Sequence, residues 1–266
     1  MNYLNGAKAL QNWKRWLTFA ELFHRSSSGN SKLHMLKFLF SFVFVFVLIF
    51  QMAVLSSCKK DDAGTPSNPA NGTVTDIDGN VYTTVTIGSQ VWMKENLKVS
   101  KYRNGDPIPT NLNNTDWENT TSGAYAIYNN DAANNTTYGK LYNWYAVADP
   151  RGLCPTGWHV PSDAEWTTLV NFLGGSSVAG GKMKTTTGWT SPNTAATNES
   201  GFSGLPGGNR YYLGSYDVIG NYGLWWSSTE SMDTHALHRF LDYSSDNSGG
   251  YGNGKRNGFS VRCLRD

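Results

Sequence analysis

Apolar and polar positions alternate in short bursts from about residue 73 to the C-terminus, and Gly, Asn and Asp separate the bursts. A period near two, bounded by turn residues, predicts short antiparallel strands. Val74-Thr-Asp-Ile-Asp-Gly-Asn-Val-Tyr-Thr-Thr-Val predicts a hairpin turning at Asp78-Gly79-Asn80. Ile87-Gly-Ser-Gln-Val-Trp-Met predicts a second pair around Gly88, and Ala124-Tyr-Ala-Ile-Tyr a further strand. In the C-terminal third, Trp225-Trp226-Ser-Ser, residues 235–243 and Gly258-Phe-Ser-Val-Arg-Cys are strand candidates, with 244–257 between the last two as a Gly/Asn/Ser loop. Two segments carry helical spacing instead. Residues 138–148 place Leu141, Tyr145 and Ala148 on one face with Trp144 beside them, and Asp149-Pro150 stops the run. Ser162-Asp-Ala-Glu165 is a capping box, followed by Trp166, Leu169, Val170 and Leu173 at helical intervals and by Gly174 as a stop. No heptad and no repeat of 20–50 residues is present. The pattern predicts one α+β domain over residues 73–266, with two helices and short irregular antiparallel strands.

The most apolar stretch lies upstream. Met35-Leu-Lys precedes residues 38–50, which are apolar except for Ser41, and Leu55-Ser56-Ser57-Cys58 follows. A short basic start, an apolar run and small residues before a cleavage point make an export signal, here residues 35–57. The tetrad ending at Cys58 resembles a bacterial lipobox, which implies cleavage before Cys58 and lipid transfer to its sulfur. Residues 38–55 are barely long enough to span a bilayer as an uncleaved anchor. Residues 1–34 read as an extension upstream of the natural signal start, from a mis-set start codon. Residues 58–72, with Lys59-Lys60-Asp61-Asp62 and then Pro, Gly, Ser and Asn, read as a polar tether. The expected location is therefore an exported bacterial lipoprotein at the outer membrane or cell surface, its partner there being membrane lipid through Cys58.

Charge sharpens this division. Residues 1–57 hold six basic residues and one acid, net +5, whereas residues 58–266 hold 16 basic and 19 acidic residues, net −3. A mildly acidic body lacks the clustered Lys and Arg that phosphates require, so nucleic acid is not an expected partner. Aromatic residues reach 14% and charged residues only 16%, which excludes a disordered chain. Three cysteines would leave an odd thiol in an exported protein. With Cys58 lipidated, Cys154 and Cys263 remain to pair in an oxidising compartment, closing a loop of about 110 residues.

Gly139-Lys-Leu-Tyr-Asn-Trp-Tyr-Ala, Gly152-Leu-Cys-Pro-Thr-Gly-Trp-His-Val-Pro-Ser-Asp-Ala-Glu-Trp, Leu205-Pro-Gly-Gly-Asn-Arg, Gly223-Leu-Trp-Trp-Ser-Ser-Thr-Glu and Gly258-Phe-Ser-Val-Arg-Cys occur in that order. Through them residues 74–266 resemble the Fibrobacter succinogenes major paralogous domain family. That family is found in secreted and lipid-anchored bacterial proteins, and its function is largely undefined. Val160-Pro-Ser-Asp-Ala-Glu-Trp166, Gly223-Leu-Trp-Trp226 and Gly258-Phe-Ser-Val-Arg262 are more distantly similar to segments of the formylglycine-generating-enzyme and C-type-lectin-like superfamily. This second resemblance implies a C-type-lectin-like, sulfatase-modifying-factor-like fold with a compact core and long loops.

Candidate chemistry is sparse. The oxidase of that superfamily needs a reactive cysteine pair, and Cys154 and Cys263 instead read as a structural disulfide. His235 and His238 are three apart on an expected strand, so they face opposite sides and cannot chelate one metal. His159 reads as a packed or hydrogen-bonded residue. Asp76-Ile-Asp78-Gly79 faintly resembles a calcium loop but lacks its closing Glu and helical flanks, so a turn is expected and no metal or cofactor is called for. Gly201-Phe-Ser203-Gly-Leu lacks the spacing of a nucleophile elbow. Aromatics give the positive signal. Strand alternation would expose one of Trp225 and Trp226, with Arg239 and Tyr243 beside it, as a surface for a glycan or a surface protein. Tyr211, Tyr212, Tyr216 and Asn221 add polar aromatic loop surface nearby. The expected function is a non-catalytic, lipid-anchored binding module, with a glycan-processing or formylglycine-type enzyme and a structural surface protein as the alternatives.

Overall fold

The computed structural model describes residues 72–266. The expected extension, export signal and Cys58, with the tether up to residue 71, lie outside the described residues. The predicted first hairpin forms as β1 (Thr73–Thr75) against β2 (Val81–Ile87), and β2 turns at Gly88 into β3 (Gln90–Met93). Asp76 closes the first turn. Its carboxylate accepts from the Asp78 and Asn80 amides, the Asn80 side chain and the Tyr82 hydroxyl. Asp78 accepts from the Ser100 hydroxyl and pairs with Lys101 at 3.4 Å. Asp76 is thus taken up within the turn, whereas Asp78 reaches out of it to the segment at Ser100 and Lys101.

The predicted helix over 138–148 does not form as one element. α1 (Asn114–Asn119) precedes β4 (Tyr125–Ala126), a 3-10 turn (Tyr128–Asn130), α2 (Ala132–Tyr138), β5 (Leu141–Tyr142) and α3 (Trp144–Val147). Gly139 ends α2 at φ 75°, a left-handed position that glycine adopts without strain. Leu141 and Tyr142 then pair with β4, and Tyr142 also exchanges backbone hydrogen bonds with Phe259. Asn143 caps α3 by accepting from the Ala146 amide. Helix-spaced apolar residues were thus a buried strand followed by one helical turn, and Ala148 is exposed.

The second predicted helix is present as α4 (Asp163–Phe172), after β6 (Trp158–His159). Its capping box is complete, with Ser162 accepting from the Glu165 amide and Glu165 accepting from the Ser162 amide. Trp166, Leu169, Val170 and Leu173 are buried. α5 (Ser176–Met183) follows, so the described residues contain five α-helices rather than two.

β7 (Asn209–Arg210) pairs with β8 (Tyr216–Asp217), and β9 (Tyr222–Met232), β10 (His235–Asp242) and β11 (Ser248–Gly254) form a three-stranded sheet in the order β11-β10-β9. β11 occupies the expected loop over 244–257. Its glycines stand opposite large β10 residues, Gly249 against Phe240 and Gly250 against Arg239. A Cβ on Gly249 would lie 2.2 Å from the Phe240 ring. Composition that reads as a loop here is what lets a strand approach crowded neighbours. Conversely, Gly258, Phe259 and Ser260 make isolated bridges, and the last ladder strand is β12 (Leu264–Arg265). It enters a five-stranded antiparallel sheet ordered β1-β2-β3-β12-β6. Cys154 and Cys263 are joined by a disulfide, with Cα atoms 6.0 Å apart and both residues buried. The described part is an α+β structure, with no helix among the described residues long and apolar enough to cross a membrane.

Candidate functional site

β9 runs between two cores, which decides the fate of its tryptophans. Trp226 packs with Tyr142, Trp144, Phe259 and Val261, whereas Trp225 packs with Trp92, Trp166 and Phe202. Alternation sends the two indoles to opposite faces, as predicted, but both faces are covered. Trp225 is 1% exposed and Trp226 0%, so the expected outward-facing Trp is corrected: neither reaches solvent. Both indole N–H groups are satisfied internally, Trp225 Nε1 by Asn96 Oδ1 and Trp226 Nε1 by the Tyr142 carbonyl, each at 2.8 Å.

Arg239 lies opposite Trp225 in the sheet, but its guanidinium turns to α4. Nη2 donates to Asp163 Oδ1 at 2.7 Å and to Thr167 Oγ1 at 2.8 Å. Tyr243 falls just past β10 and is half-buried, its backbone tied to Thr194 and Asn221. The structure does not bring Trp225, Trp226, Arg239 and Tyr243 to one surface.

The two notable histidines are also structural. His238 is buried beside Trp226, Phe259 and Tyr251. Its Nδ1 lies 2.8 Å from the Tyr251 carbonyl, which can only accept, so Nδ1 carries the proton and Nε2 is buried without a partner. Burial pushes its pKa down to about 4. His159 contrasts with it. Burial pulls its pKa down, but the hydrogen bonds its ring makes to the Asp266 carboxylate at 2.7 Å and the Glu165 carboxylate at 2.9 Å win and raise it. The ring bridges β6 to the cap of α4. Among the described residues no group of three or more His, Cys, Asp or Glu side chains is placed to hold a metal ion.

Most of the buried charge is cationic and is met by backbone carbonyls and aromatic faces. Lys184 is fully buried, and its Nζ donates to the carbonyls of Thr194, Asp242 and Ser245 at 2.7–2.9 Å. Arg262 donates to Asn96 Oδ1 and the Phe202 carbonyl and lies over the Phe202 ring; burial lowers its pKa to about 9, so it stays charged at pH 7. Lys140 reaches the Lys98 carbonyl over Tyr125. Lys255 reaches Glu230 and the Asp233 carbonyl over Trp144. Together they fasten loop segments to one another and, through Asp242 and Glu230, to the ends of β10 and β9.

Arg210 is the fifth such cation, and it shapes a surface. Its Nε donates to the Gly214 carbonyl at 3.1 Å and its Nη2 to the Leu112 carbonyl at 2.8 Å, between the rings of Trp117 and Tyr216. The β7–β8 loop is thereby fixed from below. It is also closed by Tyr211 N–H to the Ser215 carbonyl and Gly214 N–H to the Tyr211 carbonyl, and the Tyr212 amide donates to Asn257 Oδ1. Gly214, at φ 94°, seats directly on Asn114, where a Cβ would lie 2.6 Å from the Asn114 side chain. On top stand Tyr211, Tyr212 and Leu213, 41%, 38% and 43% exposed, with the two Tyr rings 4.4 Å apart and tilted by 50°. A hydrogen bond with Tyr212, then burial, raises the Tyr211 pKa. The sequence named these tyrosines only as accessory loop surface. The usable signal was three consecutive large residues before Gly-Ser, too short for a strand and too apolar for an ordinary turn.

A small cavity of about 200 Å³ lies elsewhere, lined by Asp76, Ile77, Arg103, Leu153 and Cys154 among others. Arg103 is already bonded there to the carbonyls of Cys154 and Trp158. No curated protein and no solved structure matches the chain. Residues 85–265 match the family model described as the Fibrobacter succinogenes major domain.

Proposed function

The chain belongs to the Fibrobacter succinogenes major domain family, and from that premise we propose that it is an exported, lipid-anchored, non-catalytic binding module at the cell envelope. Its ligand is a glycan or a surface protein, and its anchor is lipid on Cys58 at the end of a polar tether. The observation that carries this reading is the use made of the buried cations. Lys184 alone draws the Thr194 carbonyl of one loop and the Asp242 and Ser245 carbonyls at the end of β10 onto one ammonium. Five such groups hold the irregular segments in fixed shapes. Rigid loops lower the ordering entropy of association, which is what a binding surface needs. The C-type-lectin-like architecture, loops on a compact core, is consistent with that use and belongs to the same proposal.

The oxidase alternative would require Cys154 and Cys263 as a reactive pair, whereas they are bonded to each other and buried. The test is a screen of the full-length lipoprotein, in detergent micelles, against envelope glycans and, by in-cell crosslinking, against surface proteins. Saturable binding that returns the ligand chemically unchanged supports the proposal. Conversion of the ligand to a new product, or no saturable ligand of either kind, overturns it.

A further inference from the structure

We infer that Tyr211, Tyr212 and Leu213 form the ligand platform of this module and that the ligand is a neutral oligosaccharide; the inference rests on the binding reading above. Three adjacent large side chains hold 38–43% of their surface in water at the tip of a two-residue-strand hairpin. A loop free to move would fold such residues back onto the protein. This loop cannot, because Arg210, Asn257 and Asn114 fix it from three sides. The exposure is therefore built in.

The chemistry of the platform selects the ligand class. The two Tyr rings pack on each other at 4.4 Å while 41% and 38% of the residues stay in water, an apolar aromatic surface of the kind that suits the C–H face of a sugar ring, and their hydroxyls can exchange hydrogen bonds with its hydroxyls. Exposed Ser215 and Asn114 border the tip with a hydroxyl and a carboxamide. Arg210, underneath, faces inward between Trp117 and Tyr216 and already donates to the Leu112 and Gly214 carbonyls, so it is not aimed at an anionic ligand. A stable protein interface buries about 800 Å² on each side, far more than a three-residue tip offers.

The experiment titrates the full-length lipoprotein in detergent micelles with cellohexaose, xylohexaose, mannohexaose and chitohexaose by calorimetry. At least one should bind saturably. Tyr211→Ala and Tyr212→Ala should each weaken that binding about tenfold or more, with the melting temperature changed little because the loop is closed by the backbone N–H groups of these residues, which alanine keeps. Failure of all four sugars to bind overturns the inference, as does unchanged binding in the double variant. If the double variant instead loses a surface-protein ligand that the wild type holds, the glycan inference falls while the binding-module reading stands. If the wild type holds neither sugar nor protein, both fall.

Discussion

A histidine gives the clearest expectation at the level of single residues. His238 is held neutral in the folded state with a pKa of about 4, against about 6.5 in an unfolded chain. Below pH 6.5 the unfolded state takes up a proton that the folded state refuses, so stability falls as pH drops from 6.5 towards 4. The full difference corresponds to roughly 3 kcal/mol. His159 acts in the opposite sense, because its folded pKa is raised. Its contribution is complete below the unfolded value and is lost as pH rises through the folded one. Urea midpoints measured from pH 7 to pH 4 should therefore fall in the wild type and fall much less in His238→Gln, which keeps a donor for the Tyr251 carbonyl; equal slopes would refute the assignment. The tryptophans show what a residue pattern does and does not contain. Parity correctly sent Trp225 and Trp226 to opposite faces of β9. What covers each face is set by Trp92, Tyr142, Phe202 and Phe259, which are far away in sequence, so burial on both sides was not readable locally. Trp225→Ala and Trp226→Ala should each cost about 3–5 kcal/mol of stability, read by denaturant unfolding.

Whole elements were legible where their determinants are local. α4 carries its own start signal, its apolar face and its stop within thirteen residues, Ser162 to Gly174, and it forms as predicted. Ser162→Ala should lower stability by about 1 kcal/mol, and Glu165→Ala by more because the same carboxylate also holds His159. A Glu165→Ala variant no less stable than Ser162→Ala would show that the His159 bridge adds nothing. The segment over 138–148 failed as a prediction because Gly139 breaks the backbone and Phe259 supplies a strand-like partner to Tyr142 from more than 100 residues away. β11 failed for the complementary reason: its glycines have no strand preference, and pairing with β10 is what makes them a strand. The candidate site follows the same division. Tyr211 and Tyr212 were visible as loop aromatics, but their exposure depends on Arg210, whose bond to the Leu112 carbonyl, 98 residues away, no local window contains. Arg239 was misread for the same cause. Its carboxylate partner sits on α4, so Arg239→Met should lower the melting temperature while leaving ligand affinity within about twofold, the small change usual away from an interface core.

For the molecule as a whole, parity of the cysteines and the location of the export signal made one coupled argument: Cys58 to lipid, Cys154 to Cys263. The disulfide half is present in the structure. Its mechanical meaning comes from where it lands. Cys263 immediately precedes β12, the strand that joins β3 to β6, and its carbonyl accepts from the Met93 amide. Cys154 sits in the loop whose carbonyl also holds Arg103. The bond thus fastens the last strand of the five-stranded sheet to a segment 109 residues earlier. Closing a loop of that size removes enough unfolded-state entropy for about 4–5 kcal/mol in the chain-entropy model, and native disulfides are typically worth about 2–5. The double substitution Cys154→Ala, Cys263→Ala should therefore lower unfolding free energy within that range, and thiol titration of the denatured, unreduced wild-type domain should return no free group from these two positions. The platform at Tyr211 and Tyr212 is held by Arg210 and Asn257, not by this bond, so the doubly substituted protein, kept below its lowered melting temperature, should bind the same ligand with unchanged affinity. Loss of binding together with stability would mean that the disulfide reaches the β7–β8 loop through the core, and that the loop's rigidity is a property of the sheet rather than of its own guanidinium pin.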